Sequence, residues 1–154
     1  MFLDFARLIH AMDAIAAKTG QRVIIQAGLS KTIPKHAEHF DFKSAEATLA
    51  LQRKARLIVC HAGIGAVTDA LRVQRPFVVT PRLSQYGEHT NDHQLELAEA
   101  VAKRGWGRTV LDMSELEAAC AHPLPAPVSY HPAKKRLLAA VRRMVDRVSE
   151  ERGG

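Results

Sequence analysis

The sequence predicts an α/β fold in which a parallel sheet is covered by helices on both faces. Short apolar runs rich in β-branched residues alternate with longer segments of helical periodicity, and the connections between them are short. One of these connections, "HAGIGAV", places two glycines between an apolar run and a helix. Parallel strands joined by helical crossovers have this organisation.

The first half of the chain is predicted to form two helices and two strands. The segment "LDFARLIHAMDAIAAKTG" is a helix that ends at Gly20. Its apolar face consists of Phe5, Leu8, Ile9, Met12, Ile15 and Ala16. The run "RVIIQAG" is a buried strand, and the stretch Leu29–Phe42, which contains Pro34, is a loop. Ser44 opens a helix that ends near Lys54, and "RLIVC" is the second strand.

The second half continues the alternation. After the glycine-containing turn, "AVTDALRVQ" is predicted to be a helix and "FVVT" a third strand. Asn91 is predicted to cap a strongly periodic helix over Asp92–Arg104. The run "GRTVL" is a fourth strand, and Ser114 caps a short helix, "SELEAACA".

Three regions are predicted along the chain. Residues 1–122 form the α/β domain, residues 123–132 a proline-rich linker, and residues 133–154 a basic amphipathic helix. The apolar face of this last helix consists of Leu137, Leu138, Val141, Met144, Val145 and Val148. Three interpretations of that face stay open: packing on the domain's own sheet, docking on a partner, or contact with anionic lipid.

The composition excludes several classes of protein. With 47% hydrophobic and 25% charged residues, it is that of a soluble globular protein, and no apolar run reaches the roughly 18 residues of a membrane span. Residues 1–18 lack the cleavage site of a secretory signal. Cys60 and Cys120 show no spacing pattern, so reduced thiols in a cytoplasmic protein are expected. The net charge is +6, of which +4 lies in residues 133–154, so a nucleic-acid partner is not predicted.

The glycines of "HAGIGAV" suggest a phosphate site. A strand followed by Gly-x-Gly and a helix presents backbone N–H groups and a positive helix end to an anion. Thr68 stands where the third glycine of a dinucleotide fingerprint would fall, so that interpretation is weak. Gly63 and Gly65 could instead serve only the tight turn. Asp69 could accept two ribose hydroxyls, or be a helix-start acid favoured by the helix dipole.

The segment "YGEHTNDHQ" is rich in polar side chains. Glu88, His89, Asp92 and His93 make a metal site conceivable, but the predicted cap puts His89 in a loop and breaks the helical spacing of the two histidines. We therefore predict no metal. His93 and Gln94, at a helix N-terminus, are better suited to recognise the hydroxyls of a sugar.

Both segments are expected to meet at one edge of the sheet. The loops after successive parallel strands converge at the carboxyl edge, where ligands bind in open α/β sheets. Pro81, Arg82 and Tyr86 shape the second of these loops. A phosphate at one loop and a hydroxylated ring at the other together describe a nucleotide-sugar.

The segment from His61 to Gly105, with its run "PRLSQYGEHTNDHQLELAEA", resembles the C-terminal domain of glycosyltransferase family 28. It resembles more closely a stand-alone form of this domain, found as the donor-binding subunit of the dolichol-linked N-acetylglucosaminyltransferase and in bacterial exopolysaccharide glycosyltransferases. The similarity covers about Phe5 to Val110. It implies a Rossmann-like fold, the C-terminal half of a GT-B enzyme. The usual first strand precedes a segment similar to "MFLDFARLIHAMDAIA", so we expect that strand to be lacking here.

The resemblance carries functional roles over to individual positions. It makes Asp69, usually a glutamate, the ribose-binding carboxylate, and it assigns His93 and Gln94 to the donor sugar. His61 would border the nucleotide, and Glu88 and His89 would have a supporting role only. With the second-loop residue Arg82, which hints at an acidic sugar, the candidate donor-binding residues are His61, Gly63, Ile64, Gly65, Asp69, Arg82, Glu88, His89, His93 and Gln94.

The expected function is that of a donor-binding subunit of an inverting UDP-sugar glycosyltransferase acting on a lipid-linked acceptor. The resemblance implies no cofactor. The catalytic residues stay unassigned, and His61 is the first candidate for the base. A membrane-anchored partner would bind the acceptor and hold this chain at the inner face of the membrane. The alternative is a non-catalytic nucleotide-sugar-binding module that regulates or scaffolds a partner, and a metal-dependent hydrolase ranks third. Glucuronic acid and N-acetylglucosamine are both candidate donor sugars.

Overall fold

A computed structural model describes residues 4–127 and 134–153, in which helices and strands alternate. The helices are α1 (Ala6–Thr19), α2 (Ala45–Lys54), α3 (Ile64–Val73), α4 (His93–Lys103), α5 (Leu116–Ala121) and α6 (Lys134–Gly153). The strands are β1 (Ile24–Gln26), β2 (Glu38–Phe40), β3 (Ile58–His61), β4 (Phe77–Thr80) and β5 (Arg108–Thr109). Short 3-10 turns lie at Ser84–Tyr86 and Met113–Glu115.

The described strands form two parallel sheets. β1 pairs with β2, and a second sheet has the order β3-β4-β5. In the second sheet Ile58 is opposite Phe77, and Val78 is opposite Arg108. We had expected the strands to form one sheet, so the separate β1–β2 pair is a difference from the sequence-based prediction.

The prediction of a loop over residues 29–42 was wrong at β2. The strand Glu38–Phe40 is only three residues long, and its one apolar residue, Phe40, is too little to give an alternating pattern. It is formed by backbone pairing with β1, as in the hydrogen bond from the amide of Ala27 to the carbonyl of Phe40 (2.8 Å). Backbone pairing of this kind leaves no signal in the sequence.

The segment before β2 is anchored on α1 by one carboxylate. Asp13 accepts hydrogen bonds from the backbone amides of Lys35 (3.0 Å), His36 (2.8 Å) and Ala37 (2.8 Å). These donors, first that of Lys35, lower the pKa of Asp13 to about 2. Asp13 thus holds the chain in the path that brings β2 alongside β1.

The three-stranded sheet is covered on both faces. Phe77 and Val79 of β4 are buried with side chains of α3, α4 and α6. Val78, which points to the opposite face, is buried with Ile15 of α1 and Leu116 of α5. This arrangement confirms the α/β fold class with helices on both faces.

Two helix boundaries follow the sequence signals. The side chain of Ser44 accepts a hydrogen bond from the backbone N–H of Ala47 (3.1 Å) at the start of α2. Gly20 follows α1 in the left-handed conformation (φ 68°), where glycine carries no steric penalty. Both predictions are confirmed.

Two other caps are shifted. The Asp112 carboxylate, not the Ser114 hydroxyl, provides the cap by accepting from the Ser114 amide (2.9 Å). α4 begins at His93, one residue later than predicted, although Asn91 does accept from the His93 amide (3.1 Å). At α4 the side chain of Asp92, the residue before the helix, accepts instead from the Ser84 amide (2.9 Å).

The C-terminal helix α6 is part of the core. Its side chains Val141, Met144 and Val148 are buried in the cluster that contains α3 and α4. Ser149 also donates to Glu96 of α4 (2.7 Å). Of the three interpretations of its apolar face, the structure shows packing within the chain, against helices.

The end of the predicted linker, residues 128–132, lies outside the described residues. No helix of the described residues, α6 included, has the length and apolar character to cross a membrane.

Candidate functional site

The candidate site lies where β3 and β4 end. The parallel register places His61, the last residue of β3, opposite Thr80, the last residue of β4. The loop before α3 and the longer loop before α4 therefore leave the sheet side by side. This brings together the two segments that sequence patterns singled out.

The glycines at the start of α3 serve different purposes. A Cβ on Gly63 would lie 2.3 Å from Cε1 of His61, so the imidazole ring occupies the space beside Gly63. A Cβ on Gly65 would meet nothing within 4 Å, so the fold itself does not require glycine there. The first N–H groups of a helix have no partner within the helix, and the dipole makes this end positive. Gly65 thus leaves an open approach to a helix end suited to anions.

Asp69 lies on the same side of α3 as Gly65. The two residues are four positions apart, which is one helical turn. Ile64 is the first residue of the helix and packs partly against the core. A group bound at the start of α3 would therefore have a carboxylate within one turn of it.

Gln94 connects the two loops. Its Oε1 accepts from the backbone N–H of Arg82 (2.9 Å), and its Nε2 lies 3.1 Å from Nδ1 of His61. A backbone N–H can only donate, so the oxygen of the amide must face Arg82 and the NH₂ group must face His61. Neutral His61 therefore accepts at Nδ1 and carries its proton on Nε2.

His61 is held in its neutral form. Burial lowers the pKa of His61, and the nearby charges of Arg82 and His89 lower it further. At neutral pH the ring is then a donor through Nε2–H, with its lone pair engaged by Gln94. This arrangement does not favour His61 as a catalytic base.

Glu88 is buried and fully engaged inside the protein. Only 3% of the residue is exposed, and its carboxylate oxygens lie 2.8 and 3.0 Å from Nε and Nη2 of Arg7. It also accepts from the backbone N–H of Leu83 (3.0 Å). Glu88 is therefore turned inward, and its expected supporting role at the donor site stays a prediction. Arg7 was missed, because nothing in the helical pattern of its segment marks a partner 81 residues away.

The histidines of the second loop stay near the surface. The His93 side chain is 74% exposed, and its Nδ1 lies 3.8 Å from Oε1 of Glu96. His89 accepts from the backbone N–H of Asn91 (3.4 Å). His93 and Gln94 are adjacent in sequence, but the first faces solvent and the second is buried. Within the described residues no three His, Cys, Asp or Glu side chains are grouped as a metal site.

The model of the glycosyltransferase family 28 C-terminal domain matches residues 1–148. This chain belongs to glycosyltransferase family 28. The NMR solution structure of ALG13 matches 65% of this chain and 50% of that chain, with 27% sequence identity and a TM-score of 0.44. A crystal structure of the glycotransferase of kitacinnamycin matches 90% of this chain and 35% of that chain, with 21% identity and a TM-score of 0.55. The chain spans about half and about a third of these two proteins.

Family 28 membership confirms the resemblance seen in the sequence. The kitacinnamycin glycotransferase shares the fold, which is the Rossmann-like arrangement of a GT-B C-terminal half. In this family 28 domain, the start of α3, Asp69 and the His61–Gln94–Arg82 junction all lie at the carboxyl edge of the three-stranded sheet. Open α/β sheets bind their ligands at this edge.

Proposed function

We propose that this family 28 domain binds the nucleotide-sugar donor of an inverting UDP-sugar glycosyltransferase. The observation that carries the proposal is the open space at Gly65, at the positive end of α3, beside Asp69 and the His61–Gln94 junction. Hydrogen-bond donors and positive potential stabilise a diphosphate, and a nearby carboxylate can accept hydrogen bonds from both ribose hydroxyls. The domain provides both beside a second polar loop.

The start of α3 is the proposed diphosphate site. The backbone N–H groups that follow Gly63, including those of Ile64 and Gly65, are directed towards the helix end where an anion is stabilised. Asp69 then accepts hydrogen bonds from the two ribose hydroxyls. The absence of a Cβ at Gly65 allows the ligand to approach the backbone closely.

The second loop is the proposed sugar side of the pocket. His93 is exposed, so its ring nitrogens can hydrogen-bond to a sugar hydroxyl, and the Nε2–H of His61 can donate to one. Gln94 retains one amide hydrogen and one lone pair beyond its two internal contacts. Arg82 adds a positive charge, which suits an acidic sugar such as glucuronate, while His89 borders the loop. N-acetylglucosamine is the other candidate sugar.

Sugar transfer requires a catalytic base in addition to a bound donor. An inverting reaction needs a base that deprotonates the acceptor hydroxyl as UDP leaves. The lone pair of His61 is engaged, and desolvation raises the pKa of the Cys60 thiol to about 12, so neither is a suitable base or nucleophile. We assign the base to a membrane-anchored partner that binds a lipid-linked acceptor. The chain would then work at the cytoplasmic face of the membrane, with residues 1–122 as the donor domain.

The alternative is a non-catalytic module that binds nucleotide-sugars and regulates or scaffolds a partner. The engaged lone pair of His61 favours it, since this imidazole cannot then accept a proton from an acceptor hydroxyl. The two functions differ in one measurable property: only the first gives sugar transfer when the partner is added.

Calorimetric titration with UDP, UDP-glucuronate and UDP-N-acetylglucosamine tests the proposal. We expect binding, with a preference for one of the two sugar conjugates. Failure of all three to bind at millimolar concentration would remove the donor site from this chain. Sugar transfer by the isolated chain would contradict the assignment of the base to a partner.

A further inference from the structure

Arg7 connects four segments of the protein. Its Nε and Nη2 donate to the carboxylate of Glu88 (2.8 and 3.0 Å), and its Nη1 donates to the carbonyl of Leu111 (2.8 Å). Nη2 also reaches the carbonyl of Pro81 (3.3 Å), and the guanidinium lies over the ring of Tyr86, 4.6 Å from its centroid. One side chain thus joins the first turn of α1 to both ends of the loop after β4 and to the segment after β5.

Glu88 transmits this constraint to the loop. Its Oε2 accepts from the Leu83 amide (3.0 Å), and its own amide donates to the Leu83 carbonyl (3.2 Å). Its carbonyl accepts from the guanidinium of Arg82 (3.4 Å). Residues 84–87 at the tip of the loop are exposed, so the tip contributes little packing. Arg82 is held by these polar contacts together with the burial of its neighbours Pro81 and Leu83.

Arg82 is also the first residue of the His61–Gln94–Arg82 junction. Its backbone N–H donates to Gln94, which donates to His61. A continuous series of contacts leads from Arg7 through Glu88 and Arg82 to the imidazole ring beside the start of α3. Arg7 lies more than 50 residues away in sequence from each of the candidate donor-binding residues.

We infer that Arg7 is a positioning residue of the candidate donor site, acting through Glu88 on the loop that holds Arg82, Gln94 and His61. The inference rests on the proposed function for its biological meaning. The geometry that it predicts at His61 does not, because that geometry can be measured without any ligand.

The substitution Arg7→Lys tests this role. Lysine keeps the charge but lacks the planar fork that contacts two carboxylate oxygens and two carbonyls at once. The matched control is Arg22→Lys. Arg22 makes the same two-nitrogen contact with Glu38 (2.6 and 3.1 Å), but this pair is exposed and lies at the β1–β2 sheet. Glu88→Gln is the second variant, since it keeps the shape of the side chain and removes its charge.

Two readouts separate positioning from general stability. NMR of the imidazole nitrogens reports the tautomer and titration of His61, which Arg82 and His89 face. Calorimetry reports the affinity for UDP.

In Arg7→Lys and Glu88→Gln we expect His61 to lose its single Nε2–H tautomer, and its pKa to rise towards the ordinary value as water enters. We expect the UDP affinity to fall about tenfold, because small displacements of positioned groups have large effects. Arg22→Lys should change neither property.

The outcomes are distinct. Unchanged His61 spectra in a folded Arg7→Lys protein would overturn the inference, even if UDP binding weakened. Altered His61 spectra, together with a wild-type protein that does not bind UDP, would support the positioning role and reject the proposed function. If circular dichroism shows that neither Arg7→Lys nor Glu88→Gln folds, the pair is a determinant of the fold and the inference is overturned.

Discussion

The amide nitrogen Nε2 of Gln94 lies 3.1 Å from Nδ1 of His61, and this contact joins the loops that follow β3 and β4. The orientation of the amide is fixed by the Arg82 backbone donor on its other side. Because Gln94 is only 9% exposed, the junction is sheltered from solvent. The two loops therefore form one structural unit rather than two independent ligand contacts.

Gln94→Glu is expected to reverse the protonation preference of His61. A carboxylate accepts from the ring where the amide now donates, and it stabilises the imidazolium, so the pKa of His61 should rise. NMR titration of the His61 ring measures the shift. Gln85→Glu places the same change on an exposed residue of the loop after β4 and should leave His61 unaffected. An unchanged His61 pKa in Gln94→Glu would show that the two side chains are not in contact.

Asp69→Ala is expected to weaken the binding of UDP by about 1–3 kcal/mol, the usual effect of leaving hydrogen-bonding groups unpaired. The reason is that the two ribose hydroxyls lose their proposed acceptor. Calorimetry of the variant beside Asp146→Ala, which removes an exposed carboxylate from α6, isolates the effect. Equal affinity in all three proteins would exclude Asp69 from the site.

Gly65→Ala is expected to preserve or slightly raise stability while impairing ligand binding. The new Cβ meets nothing in the protein, and alanine favours a helix over glycine by about 0.5–1 kcal/mol. The same Cβ would occupy the approach to the backbone, so UDP should bind about tenfold more weakly, equivalent to ~1.4 kcal/mol. Urea unfolding and calorimetry provide the two measurements. A stable variant with wild-type affinity would place the nucleotide elsewhere.

Gly107→Ala is expected to destabilise the fold without involving the site. The added Cβ would lie 2.6 Å from the carbonyl oxygen of Phe77 and 3.0 Å from its ring, and Phe77 is fully buried in β4. Because backbone atoms cannot easily move aside, overpacking should cost about 1–3 kcal/mol in the free energy of unfolding. Urea unfolding measures it, with Gly65→Ala as the control for the same change in an open position. Equal unfolding midpoints in the two variants would contradict the packing described here.

Asp13→Asn is expected to reduce stability in a pH-dependent way. The folded-state pKa of Asp13 is about 2, below the ordinary 3.8, so the charged form stabilises the fold above pH 4. This contribution is lost as the pH falls from about 4 to about 2. Thermal unfolding should therefore show a difference between wild type and variant at neutral pH that narrows over this range. Asp146→Asn, an exposed control, should show no such narrowing. A difference that is independent of pH would argue against the three amide contacts.

The sequence was sufficient for the elements that depend on local patterns. The helix α1 with its end at Gly20, the cap at Ser44 and the apolar strand β4 follow from periodicity and side-chain chemistry close in sequence. The glycine-containing turn before α3 was located for the same reason. The resemblance to family 28 came from residues that are contiguous in the chain, and it is confirmed over residues 1–148.

Tertiary structure alone decided which polar side chains meet. The strand β2 has no pattern of its own, since only its backbone pairing with β1 and the Asp13 anchor define it. His93 and Gln94 look equivalent in sequence, yet the helix start turns one outwards and buries the other. The pair Arg7–Glu88 joins residues 81 positions apart. Such contacts depend on how helices and loops pack on the sheet, because side chains distant in sequence become neighbours only once the chain has folded.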